Sequence, residues 1–127
     1  MSQALTHPRD RAPVAERVAQ AAQADELSVA VPAAVIDLER LRVARALKGD
    51  SASFAALVRP HLPLLMRVAG RTCRSSEMAE DAVQEALAVA ARDLHRYEPG
   101  TNFKAWLAAI TSQRAWTLLR GELRRRQ

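Results

Sequence analysis

Residues 79–94 read AEDAVQEALAVAARDL. Ala79, Val83, Ala86/Leu87, Ala90 and Leu94 recur every three or four positions, the spacing of one helix face. Asp81, Glu85, Ala88 and Arg92 fall on another face. The pattern predicts a helix from about Ser76 to Leu94, with alanines small enough to let neighbouring helices approach closely. Its first turns gather Glu80, Asp81 and Glu85, with Glu77 just before. Acids at a helix start complement its dipole, each by ~0.3–1 kcal/mol. Glu85 lies one turn further in and four residues from Asp81, where like charges cost ~0.2–0.5 kcal/mol. A partner with basic groups that offsets this repulsion is therefore expected.

The flanking sequence is also helical. From about Val35 to Lys48, Leu38, Leu41, Ala44/Arg45 and Leu47 recur at near-helical spacing. Gly49 is a stop signal, and Asp50 or Ser51 suits the cap of the next helix. That helix is expected from about Ser51 to Arg71, with Phe54, Leu57/Val58, Leu62, Leu65/Met66 and Ala69 on its apolar face. Pro60 and Pro63 predict a kink or break near His61. After the 79–94 stretch, HRYEPGTN (95–102) forces a turn at Pro99-Gly100, and Thr101 or Asn102 can cap a further helix. That last helix is expected from Asn102 to Arg125, apolar at its start and basic at its end. Trp106 is expected in the core. Trp116, ten residues on, projects to another side of the helix and suits either a stacking surface or a partner-facing patch.

Composition agrees. Ala, Leu and Arg dominate, aromatics are 4%, and only four glycines occur in 127 residues. Those are helix-forming proportions with little material for sheets. The fold class expected is all-α, a bundle of about four helices over residues 36–127. Residues 1–35, with Pro8, Pro13 and Pro32 and an Ala/Gln run, are expected to be a disordered or weakly helical tail. Cys73 is alone and His7, His61 and His95 show no ligand spacing, so neither a disulfide, a metal site nor a cofactor is expected. No nucleophile–base set or phosphate loop stands out, which argues against an enzyme. The most apolar run, LSVAVPAAVI (27–36), is too short and too interrupted to span a membrane, and a cytoplasmic protein is expected. The net charge of +5 is uneven: residues 1–40 hold six acids and four arginines, net −2, and the remainder holds 15 bases and 8 acids, net +7. The basic part suggests a polyanion partner.

Four ordered pieces from about Leu38 to Arg126 resemble region 2 of a bacterial RNA polymerase sigma factor of the extracytoplasmic-function (ECF) group. GDSASFAALVRPHLPLLMRVAGRTC resembles the first long helix of that domain, and AEDAVQEALAVAARDLHRYEP its core-binding helix. GTNFKAWLAAI resembles its FxxWLxxIA signature, and LLRGELRRR its basic exit. The resemblance implies a domain without bond chemistry. It docks on the clamp helices of the polymerase large subunit and captures the non-template strand of the promoter minus-ten element. It assigns polymerase binding to Glu80, Asp81, Gln84 and Glu85. It makes HRYEPGTN the specificity loop, which accepts a flipped base. Tyr97, Thr101, Asn102, Lys104, Gln113, Arg114, Arg120, Arg124 and Arg125 then become DNA contacts.

Two positions depart from the family pattern. Gln113 stands where Asn is common, and Thr117 where Asp is common; both bear on promoter choice. Nothing in these residues resembles region 4, the helix-turn-helix domain that reads the minus-thirty-five element. The alternative reading is a sigma-like regulatory protein that binds polymerase or an anti-sigma factor without opening DNA. A small helical repressor is a third, weaker reading, because no compact helix-turn-helix spacing stands out.

Overall fold

The computed structural model describes residues 32–126. The tail expected before residue 32 lies outside the described residues. Among the described residues, five α-helices and two short 3-10 turns succeed one another. They are α1 (Ala33–Leu47), α2 (Ser51–Val58), a 3-10 turn (Arg59–His61), α3 (Leu62–Thr72), α4 (Ser76–Arg92), a 3-10 turn (Leu94–Arg96) and α5 (Phe103–Arg125). Among the described residues there is no strand. The all-α bundle expected from the sequence is the observed one, with α2 and α3 counting as one broken helix.

The boundaries have local causes. At the end of α1, the Gly49 amide donates to the Ala46 carbonyl and the Asp50 amide to the Arg45 carbonyl, 3.0 Å each. This Schellman pairing needs a left-handed residue, and Gly49 supplies it with φ 99°. Asp50 then caps α2, accepting from the Ala52 and Ser53 amides at 3.1 and 3.3 Å and from the Ser53 hydroxyl at 2.8 Å. The Ser53 hydroxyl bond is the main reason the Asp50 carboxyl titrates below its ordinary range. The break expected near His61 is the first 3-10 turn. Pro60 lies in its first turn and Pro63 in the first turn of α3, where a missing amide costs little. The Ser75 hydroxyl caps α4 by accepting from the Met78 amide at 3.1 Å.

The core lies between α3, α4 and α5. Leu65, Ala69, Ala82, Ala90 and Ala115 are fully enclosed. The alanines of α4 give its packing face almost no side-chain thickness, and α4 against α5 is the largest helix pairing. Leu94, Leu107 and Ile110 fill the rest.

Two expectations about α1 are corrected. Helix formation begins at Ala33, so residues 33–35 belong to α1 and not to the tail. The residues whose spacing predicted the helix are also not those it buries. Leu38, Leu41 and Leu47 stay about half exposed, whereas Val43 is buried and Ala46 packs beside it. The inward face is Glu39–Val43–Ala46, because Glu39 accepts hydrogen bonds from Tyr97 and Gly100 in the connection between α4 and α5. Leu65→Ala should therefore destabilise by ~2–5 kcal/mol. Leu38→Ala should change stability by no more than ~0.5 kcal/mol. Denaturant unfolding of both variants checks this; equal losses would contradict the assignment of the α1 face.

Candidate functional site

The segment 95–102 is held by its own side chains. Tyr97 is only 6% exposed, and its ring meets Phe103 edge-on at 5.0 Å and Trp106 at 5.3 Å between centroids. Phe103 in turn stacks on Trp106 at 5.7 Å and touches the His61 ring at 5.9 Å. The Tyr97 hydroxyl donates to Glu39 Oε1 at 2.5 Å, and the Gly100 amide donates to the same oxygen at 2.9 Å. Burial, and then the Glu39 carboxylate, push the Tyr97 phenol far above its ordinary range, so it stays a donor. Gly100 has φ 87°, a left-handed conformation. The Thr101 hydroxyl closes the turn on the Glu98 carbonyl at 2.7 Å.

Two expected DNA contacts change character here. Tyr97, expected as a base-stacking side chain, is buried against Phe103 and Trp106 with its hydroxyl donated to Glu39. Asn102 is the helix cap that the sequence allowed: its Oδ1 accepts from the Ala105 amide at 3.0 Å, and its Nδ2 is enclosed. Sequence reasoning misses Glu39, the acceptor that organises the loop. It lies 58 and 61 positions from its partners, and no local pattern marks it.

Along α4, Glu80, Asp81 and Gln84 are exposed and side by side. Glu85 is different. Its Oε1 accepts from Arg114 Nη2 at 2.8 Å and from Arg114 Nε at 3.3 Å. The basic group expected to offset its repulsion with Asp81 is thus within the chain, on α5. The repulsion therefore does not by itself require an outside partner, and the pair holds Arg114, which was expected to face DNA, against α4. The pair is partly exposed, so its contribution is about 0.2–1 kcal/mol.

The remaining expected DNA contacts divide. Gln113, Trp116 and Arg120 come together with Val68, Ala108, Ala109 and Ser112 around an open groove of about 440 Å³ between α3 and α5. Trp116 is 49% exposed there. By helical periodicity Arg124 continues the Gln113–Arg120 row, whereas Lys104 lies on the opposite side of α5. Lys104, Arg120, Arg124 and Arg125 are all exposed. Arg126 pairs with Glu122 at 2.9 Å. Thr117 turns its hydroxyl onto the Gln113 carbonyl of its own helix at 3.0 Å.

Among the described residues, no group of three or more His, Cys, Asp or Glu could hold a metal ion, and no helix is long and apolar enough to cross a membrane. Burial pushes the Cys73 thiol up, away from thiolate character.

Comparison with known proteins bears on these surfaces. The Sigma-70 region 2 family matches residues 57–125, more than half of the chain. The RNA polymerase sigma factor CarQ of Myxococcus xanthus is 35% identical over 72 residues, covering 57% of this chain and 41% of CarQ. The chain thus matches about two fifths of that relative's length. No solved structure matches it. The chain belongs to the Sigma-70 region 2 family.

His61 gives the loop region a pH dependence. Burial, and then the charge of Lys104, lower its pKa, with Glu39 opposing. The folded chain therefore binds this proton less readily than the unfolded chain. Its contribution to stability is complete above the unfolded value of about 6.5 and is lost as pH falls through the lower folded value. The thermal midpoint should drop between pH 7 and pH 5, and His61→Gln should remove part of that drop. Parallel pH profiles of the two proteins would contradict this. The lowered Asp50 and Asp93 carboxyls titrate below about pH 4 and do not interfere.

Proposed function

We propose that this chain docks on core RNA polymerase through α4 and recognises the opened minus-ten strand of a promoter through the 98–102 turn and α5. The reading rests on one observation: α4 and α5 pack side by side and present opposite charges outward. Glu80, Asp81 and Gln84 offer an acidic, hydrogen-bonding edge to a basic protein surface. Glu85 joins that edge through the oxygen its Arg114 pair leaves free. The large-subunit clamp helices are the partner that family membership points to.

The DNA surface is the other half. Arg120 and Arg124 line up to meet phosphates, and Lys104 and Arg125 extend the positive field. Each phosphate contact on single-stranded DNA should lower the slope of log K against log salt by about 0.7. Trp116, half exposed beside Gln113, can stack on an unpaired base, worth ~1–3 kcal/mol. The 98–102 turn offers backbone groups and the Thr101 side chain to a flipped base, whose extrusion costs a few kcal/mol. Nothing in this reading needs a cofactor or a bond-breaking group, so the chain acts as a binding domain. Strand opening follows from capture of unpaired bases, and the place of action is the cytoplasm, where polymerase and DNA meet.

A second reading is favoured by Gln113 and Thr117. With an amide and a self-bonded hydroxyl at these positions, the chain engages polymerase or an anti-sigma factor and leaves DNA closed.

Mixing the purified chain with core RNA polymerase tests the docking claim. The wild type should bind, and Asp81→Arg with Gln84→Arg should weaken binding by tenfold or more, about 1.4 kcal/mol. Both residues are exposed, so the unfolding midpoint should not move. Absence of wild-type binding, or equal binding by the variant, would contradict the docking assignment.

A further inference from the structure

We propose that Glu39 is a positioning residue for base recognition: its carboxylate, on α1, sets the shape of the 98–102 turn that meets the DNA strand. The inference rests on the reading of that turn as the base-recognising element. It goes beyond family membership, because Glu39 and all of α1 lie outside the matched residues 57–125.

The turn is fixed at both ends by the core. Tyr97 is locked among Phe103 and Trp106, and Asn102 caps α5. Between them the backbone must pass through the left-handed Gly100. The bond that holds Gly100 from another element is the one from its amide to Glu39 Oε1 at 2.9 Å. The Thr101 bonds to the Glu98 carbonyl lie within the turn and move with it. Gly100 has the widest conformational freedom of any residue type, so it loses its defined geometry once that acceptor is gone. A recognition pocket that is not preorganised discriminates poorly, because ordering it consumes the binding energy.

Oε1 is shared with the Tyr97 hydroxyl at 2.5 Å. That sharing provides the control. Tyr97→Phe removes one donor and leaves Gly100 attached. Glu39→Ala removes the acceptor from both. Glu39→Gln keeps an acceptor oxygen and removes the charge. Glu39→Ala leaves two donors unpartnered and Tyr97→Phe removes one of the two bonds to Glu39, so both lower stability. Only Glu39→Ala releases the turn.

The test uses the full chain and a pool of single-stranded oligonucleotides with a randomised centre, with the bound fraction sequenced well below the unfolding temperature. Hydrogen exchange at the Gly100 amide is followed in parallel in the free proteins. Wild type, Glu39→Gln and Tyr97→Phe should share one base preference. Glu39→Ala should lose it by about tenfold at one base position, the scale of a single base mismatch. Its overall affinity and salt slope should stay unchanged, and its Gly100 amide should exchange faster. Retained preference in Glu39→Ala, or unchanged Gly100 exchange, overturns the inference. So does loss of preference in Glu39→Gln or Tyr97→Phe, since charge or stability would then be the cause. A wild type with no base preference overturns the reading of the turn itself, and it is recognised without any variant.

Discussion

The Glu39 carboxylate is the acceptor on which the upper part of the molecule is assembled. A buried phenol without a partner costs about 1–3 kcal/mol, and so does a buried amide. Tyr97 would incur that cost, and the half-buried Gly100 amide a part of it. Glu39 removes both, and in doing so it draws α1 onto the 95–102 connection. Beneath it, the Tyr97, Phe103 and Trp106 rings add about 0.5–1.5 kcal/mol per pair beyond the area they bury. The orientation of α1 is a consequence: Glu39 and Val43 turn inward, and the leucines Leu38 and Leu41 are left outside.

The same economy governs charge. The +7 of residues 41–127 is not a uniform coat. Arg114 is turned toward α4 and neutralised by Glu85, and Arg126 is paired with Glu122. The acids of α4 and the bases of α5 then separate to different outward edges of one helix pair. The proposed function uses that separation, because mixed charge on one face would serve neither a basic protein surface nor a polyanion.

The helices and their ends were legible because their causes are local. Gly49 and Asp50 end one helix and begin the next; Pro60 and Pro63 break the second; Ala79, Val83, Ala86 and Ala90 face the core as their spacing required. Asn102 was read both as a cap and as a base contact, and Tyr97 by residue type and not by environment. A cap and a core ring resemble a base contact in sequence, and only the neighbours that fold against them decide. The partners Glu39–Tyr97 and Glu85–Arg114 join elements far apart in the chain, so no periodicity reveals them. The Glu85 case is instructive: repulsion from Asp81 correctly implied a basic partner, but sequence could not tell one on α5 from one on another protein.

If two separate edges serve two partners, DNA meets the turn and α5 and leaves the α4 edge free. Backbone amide chemical shifts recorded while a minus-ten single strand is titrated into the chain distinguish the two edges. Shifts are expected at residues 98–102 and along the Gln113, Trp116 and Arg120 face, with Asp81 and Gln84 unmoved. Shifts centred on the α4 edge or on the outer face of α1, or none at all, would contradict it.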